Sequence, residues 1–291
     1  MNRRTFVKLA AGGIATQVFL PLLVRSGIPS GYALRFWDDF SSVDPSKWYV
    51  ANSKPGYGQE WFLTSQVSAS NSILKLTAEP WAGGYGAYKS GELESNGRFE
   101  FQYGYLECRA KMPQGQGLWP IWWLRTVEHK NALLNYSKQE IDIFENQSQL
   151  VSTTGSHIHW GNRDVNGFTG SFHTVQGVDY SSDFHIYGLD WKPGVAKFYV
   201  DGVLAWEYAS VNVPWERMSI LLSLSVGGYA GVPHGAFPLS LEVDYVGVWQ
   251  AEATTATIAP TSTPVPSSTP VPTQTPRKPV STVRPTRTRK P

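Results

Sequence analysis

The 291-residue chain has one cysteine, Cys108, so no internal disulfide braces it. In Leu106-Glu107-Cys108-Arg109-Ala110-Lys111 this cysteine takes the apolar side of a strict alternation, which marks a packed core thiol rather than a nucleophile. Long hydrophobic runs are also missing. The apolar stretch from Leu9 to Val24 is short and broken by Gly12 and Gly13, which argues against a membrane span in the mature chain. Neither a sustained helical period nor an internal repeat can be found. Charge is sparse, at 16% of residues, and the net +2 is a property of the ends. Arg3, Arg4, Lys8 and Arg25 lie near the start, and Arg277, Lys278, Arg284, Arg287, Arg289 and Lys290 near the finish. The body between them is acidic, which excludes nucleic acid as a natural partner.

The two ends read as appendages. Residues 1–33 combine the Arg3-Arg4 pair with a mild apolar middle and a loose small-x-small site, Gly31-Tyr32-Ala33, so a twin-arginine-type export signal is expected, with an uncleaved membrane tether as the alternative. No cysteine closes the apolar run, which speaks against a lipid anchor. Residues 251–291 contain nine prolines and no aromatic residue, and are expected to form an extended, solvated tail ending in a basic patch. Residues 34–250 are enough for one domain with a sizeable core, expected to be a monomer.

Within that body, short apolar or alternating runs are separated by turn residues. They cover Ser72 to Glu79, Arg98 to Gln102, Gly104 to Met112, Ile141 to Glu145, Gly155 to Trp160, Phe184 to Trp191, Val195 to Val200, Ser219 to Val226 and Leu241 to Trp249. Asp201-Gly202 between two such runs is a strong two-residue hairpin signal. Many short strands without helical segments predict an all-β sandwich.

The most informative stretch is Glu140-Ile141-Asp142-Ile143-Phe144-Glu145, three carboxylates within an apolar strand. Alternation puts Glu140 and Asp142 on one face and sends Glu145 to the other. One extra residue taken up as a β-bulge near Ile143 or Phe144 would return Glu145 to the face of the other two. Paired glutamates suit a retaining glycosidase, one attacking and one delivering a proton, and crowding favours one acid staying protonated, with Asp142 as the tuning partner. Alone, the hexapeptide equally fits an exposed acidic edge strand. All 12 tryptophans lie between Trp37 and Trp249. In Gly117-Leu118-Trp119-Pro120-Ile121-Trp122-Trp123 the alternation sends Trp119 and Trp123 to one side, where they suit the wall of a polysaccharide groove, with core packing as the alternative for any one of them.

These features, with Phe36-Trp37-Asp38-Asp39-Phe40, Gly56-Tyr57-Gly58-Gln59-Glu60, Ser90-Gly91, Tyr103-Gly104-Tyr105-Leu106-Glu107, His159-Trp160, Phe184-His185-Ile186-Tyr187, Val226-Gly227-Gly228 and Val243-Asp244-Tyr245, run in one order. Along nearly the whole body the chain resembles glycoside hydrolase family 16, β-glucanases and galactanases. The six-residue motif is similar to that of laminarinase-like, agarase-like and carrageenase-like members. The resemblance implies a concanavalin-A-like jelly roll with an aromatic-lined substrate cleft on the concave face. It implies Glu140 as nucleophile, Glu145 as acid and base, and Asp142 as their tuning residue. Trp119 and Trp123 would line the cleft, with His159 and Trp160 near the scissile bond; a structural hydrogen bond is the other reading of His159. No catalytic cofactor is implied. A structural calcium would use Asp244, otherwise an ordinary surface aspartate. Glu92 stands where laminarinase-like relatives usually carry arginine, and Ser223 and Tyr229 replace their usual asparagine and tryptophan, so Glu92 is expected to touch substrate and to mark a departure in specificity. The implied substrate is a β-1,3- or mixed β-1,3/1,4-glucan, with a β-galactan or transglycosylation as alternatives, and a non-catalytic lectin as the reading from another class.

Overall fold

A computed structural model of the chain describes residues 28–83, 86–127, 139–160 and 169–252. Most of the expected export signal, nearly all of the tail and the segment before Gln139 lie outside these residues. In chain order the strands are β1 (Tyr32–Asp38), β2 (Tyr49–Val50), β3 (Lys54–Pro55), β4 (Glu60–Phe62), β5 (Val67–Ser70), β6 (Ile73–Pro80), β7 (Tyr88–Ser90), β8 (Glu92–Glu94), β9 (Gly104–Lys111), β10 (Leu118–Thr126), β11 (Glu140–Glu145), β12 (Thr153–Trp160), β13 (Thr169–Gln176), β14 (His185–Lys192), β15 (Val195–Val200), β16 (Val203–Ala209), β17 (Met218–Val226) and β18 (Leu239–Ala251). Helix among the described residues is limited to two 3-10 turns, Thr64–Gln66 and Gly228–Ala230, and no helix there is long and apolar enough to cross a membrane.

The strands form two sheets packed as a jelly-roll sandwich. The seven-stranded sheet runs β13-β12-β11-β10-β17-β8-β2, and the other carries eleven strands, with β9 and β18 near its middle. Period-two patterning explains the core between them. Leu118, Trp122 and Leu124 of β10, Ile141 of β11, Ile158 of β12 and Ile220, Leu222 and Leu224 of β17 turn inward. They join Leu74, Leu76, Leu106, Cys108, Leu189, Val246 and Val248 from the other sheet. Cys108 is fully buried, and burial pushes its thiol pKa well up, as a core thiol requires. Asp201 and Gly202, at φ of 51° and 80°, make the turn that joins β15 to β16.

Two expectations give way. Arg98 to Gln102 is not a strand: the Phe99 amide bonds back to the Ser95 carbonyl at 2.9 Å, and only Phe101 bridges to Met218. At the other end of the body, β1 begins before residue 34, because Tyr32 and Ala33 already pair with Ala251 and Gln250.

The entry to β10 sets a tight steric limit. Gly117 has φ of +79°, and a Cβ there would meet the Pro233 Cα at 2.3 Å. Gly117→Ala should therefore cost about 1–3 kcal/mol of stability, read as a lower urea midpoint with an unchanged slope.

Candidate active site

The outward face of the seven-stranded sheet carries the acidic strand. Between β10 and β11 the register runs Ile121 to Glu145 and Trp122 to Phe144, then Trp123 to Asp142, leaving Ile143 as the extra residue of a bulge. Ile143 and Phe144 both enter the core. Glu140, Asp142 and Glu145 consequently share the outward face.

Their neighbours come from β10 and β12. Trp119 Nε1 donates to Glu145 Oε1 at 2.9 Å. His157 Nδ1 lies 2.7 Å from Glu145 Oε2, at an angle outside hydrogen-bond geometry. His159 Nε2 stands 3.3 Å from Asp142 Oδ2 and 4.0 Å from Glu140 Oε1. Asp142 is 3% exposed, and its Oδ2 has no hydrogen-bond partner. Burial first, and then the charges of Glu140 and Glu145, push its pKa well above the carboxylate range. Pushed toward its neutral form, Asp142 adds less negative charge to a strand that already carries two glutamates. Glu140, Asp142 and His159, and likewise Asp142, Glu145 and His157, bring one donor atom each within 4.8 Å of one another, so by spacing either trio could take a small cation.

Aromatic rings arc across the same face. Tyr57 meets Trp123 edge-on at 5.6 Å, Trp119 meets Tyr229 at 5.6 Å, Tyr229 meets His157 at 6.2 Å, and His157 meets Phe172 at 5.7 Å. Trp119 and Trp123 share one side, as the alternation predicts, but Trp123 is only 5% exposed while Tyr57 beside it is 38% exposed. Trp160 is not brought to the carboxylates. It follows His159 onto the opposite face of β12, packs against the core and stacks with Tyr208 at 6.0 Å.

Glu92 lies on the cleft side but is wholly buried, so no surface of it is open to substrate. It accepts from Ser223 Oγ at 3.0 Å and pairs with Lys54, which also reaches Glu94 at 3.0 Å. Arg125 completes the group at 2.7 Å from Glu94. Burial raises the Glu92 pKa; for Glu94 burial acts in the same direction but is outweighed by Arg125 and Lys54, which hold it low. Asp244 sits apart on the other sheet, 2.7 Å from the Arg109 guanidinium. A cation already stands at this carboxylate, so the residues do not fit a calcium site there. His157 and Lys54 escaped the sequence reading, and Tyr57 entered it only as part of the Gly56–Glu60 landmark, with no site role. For His157 a signal existed, since it lies two residues before His159 and must share its face.

The sign of the Asp142 shift carries a consequence. The folded chain keeps a proton that the unfolded chain loses above about pH 3.9, the ordinary aspartate value, so stability falls as pH rises through that window. Asp142→Asn stays neutral throughout, and its melting midpoint should gain on the wild type as buffer pH is raised, with activity reduced; a constant difference would contradict the protonated assignment.

Known proteins bear on this geometry. The β-glucanase of Acetivibrio thermocellus is 34% identical, over 76% of this chain and 66% of its own length. Glucan endo-1,3-beta-glucosidase A1 of Niallia circulans is 27% identical over 77% of this chain and 38% of its own. The chain therefore spans between about two fifths and two thirds of these relatives. Among solved structures, the laminarinase catalytic domain from Thermotoga maritima aligns with a TM-score of 0.67 at 26% identity, covering 77% of this chain and 100% of that one. The family model described as "Glycosyl hydrolases family 16" matches residues 57–247, a span that takes in every strand of the acidic sheet except the short β2, and the chain belongs to that family.

Proposed function

We propose that the protein is an endo-acting, retaining glycoside hydrolase that cleaves β-1,3- or mixed β-1,3/1,4-glucan. The observation that carries this reading is the bulge at Ile143, which gathers Glu140, Asp142 and Glu145 on one aromatic-walled face. The names of the two glucan-cleaving relatives support the choice of substrate.

In the first step Glu140 attacks the anomeric carbon. The bond to the leaving sugar oxygen breaks, and that oxygen takes the proton from Glu145, leaving a glycosyl ester on Glu140. In the second step a water gives a proton to Glu145 and its oxygen to the same carbon, releasing Glu140, so configuration is retained. Trp119, bonded to Glu145 Oε1, and His157, close to Oε2, hold the acid in place. Protonated Asp142 limits repulsion within the row and orients Glu140. An acceptor sugar in place of water would make the same site a transglycosylase. We also infer export through a twin-arginine leader, on the strength of Arg3-Arg4 and the apolar run after them, with a catalytic body and a proline-rich tail.

The test offers the purified chain laminarin, lichenan, curdlan, xyloglucan, agarose and carrageenan, and follows reducing ends. Oligosaccharides from laminarin or lichenan are expected, with NMR showing a β-configured first product. Glu140→Gln should abolish turnover while sparing binding. Glu145→Ala should lose about 10²–10⁴ of the rate on natural glycosides but keep more on substrates with activated leaving groups. Binding without cleavage of any polymer would replace this reading with a lectin.

A further inference from the structure

We propose that Tyr57 is a specificity-determining residue, the exposed aromatic platform for a neutral sugar ring at the β8 end of the cleft, and that Glu92 positions it through Ser223 and Trp123. The inference rests on the hydrolase reading and deepens it.

At this end of the face the two candidate rings differ in access: Trp123 is 5% exposed and Tyr57 38%. A sugar presents a flat C–H face to an aromatic ring and needs ring surface to rest on. Trp123 cannot supply that surface, but it supplies the seat. Tyr57 stands edge-on to it, at 5.6 Å and 83°, and meets Phe62 at 5.8 Å and 61°. The Tyr57 backbone is held from below, since its amide donates to Glu60 Oε1 at 2.9 Å, and the 2%-exposed Glu60 also accepts from the Val226 amide at 2.9 Å. The platform is thus pinned at its main chain and supported at its ring.

The Trp123 seat is fixed by a buried relay. Its indole Nε1 donates to Ser223 Oγ at 3.0 Å, and the Ser223 hydroxyl donates to Glu92 Oε2 at 3.0 Å. Ser223 and Glu92 are both wholly buried. A serine hydroxyl that accepts from the indole has its proton left to donate, and a carboxylate at that point fixes its direction. Lys54 pairs with Glu92 and also lies 5.6 Å from the Tyr57 ring centroid, so the group that compensates the buried charge flanks the platform as well. Arg125, 5.8 Å from the Trp123 ring centroid, pairs with Glu94. Both carboxylates are spent on these internal contacts, which explains why a buried glutamate belongs beside a sugar-binding surface without touching sugar.

Steady-state kinetics on β-1,3-gluco-oligosaccharides of increasing length provide the test, comparing wild type with Tyr57→Ala, Tyr57→Phe, Ser223→Ala and Glu92→Gln. Tyr57→Ala should raise KM about tenfold for long substrates, the effect of about 1.4 kcal/mol of lost binding, with a smaller change in kcat and no deficit on oligosaccharides too short to reach the ring. Tyr57→Phe keeps the ring but loses the hydroxyl contact to Glu92, so it should raise KM far less than Tyr57→Ala does. Ser223→Ala should raise KM in the same length-dependent way, and Glu92→Gln, which retains an acceptor oxygen for the intact Ser223 hydroxyl, should raise it less. A Tyr57→Ala variant with wild-type KM at every length overturns the platform. A Ser223→Ala variant whose loss is in kcat, equal at all lengths, overturns the positioning role. If wild type cleaves nothing, the hydrolase reading fails separately, and retardation in laminarin-containing gels decides the platform: weaker retardation of Tyr57→Ala supports it, equal retardation overturns it.

Discussion

A strand can point its side chains in only two directions, and this site depends on how β11 handles that restriction. Three carboxylates at positions 140, 142 and 145 cannot share a face in a regular strand. The unpaired Ile143 resolves the conflict by putting two consecutive apolar side chains, Ile143 and Phe144, into the core. Burial of such side chains is worth about 1.5–3 kcal/mol each, which helps offset the break in the ladder. The hydrophobic core thus holds the acids in register, and the burial of Asp142 beside its charged neighbours, which raises its pKa, follows from it.

Much of this was legible in the sequence because it follows from period-two patterning. The strands around Cys108, Ile158 and Leu222, the Asp201-Gly202 hairpin and the need for a bulge near Ile143 could all be read from alternation and turn chemistry. Tertiary contacts were harder. Nothing local distinguishes Trp160, which stacks on Tyr208, from His159 before it, except that they must face opposite ways. Arg98 to Gln102 alternates like a strand, yet Ser95 folds the chain back before pairing can extend. Glu92 reads as a groove residue until Lys54 and Ser223 arrive from distant parts of the chain to bury it. The Arg109 partner of Asp244 lies 135 residues away in the sequence, too far for any local pattern to show.

The outward face carries two acidic groups with opposite logic. Glu92 and Glu94 are answered by Lys54 and Arg125, so their charge is consumed within the fold. Glu140, Asp142 and Glu145 face tryptophan and histidine nitrogens instead, with no lysine or arginine paired to Asp142 or Glu145 among the described residues. Compensated carboxylates are structural elements, whereas a crowded row flanked by titratable rings remains available for proton transfer. The difference lies in the partners and not in the acids themselves.

The pairing of β1 with β18 has a consequence of its own. Tyr32 lies opposite Ala251, and the Glu252 amide donates to the Gly31 carbonyl at 2.8 Å, so the folded body begins and ends at one point on the sheet that does not carry the acids. A peptide of a few residues would join Gly31 to Glu252 and close the body into a ring, and new termini opened in an exposed turn such as Asp201-Gly202 would then leave the acidic sheet uncut.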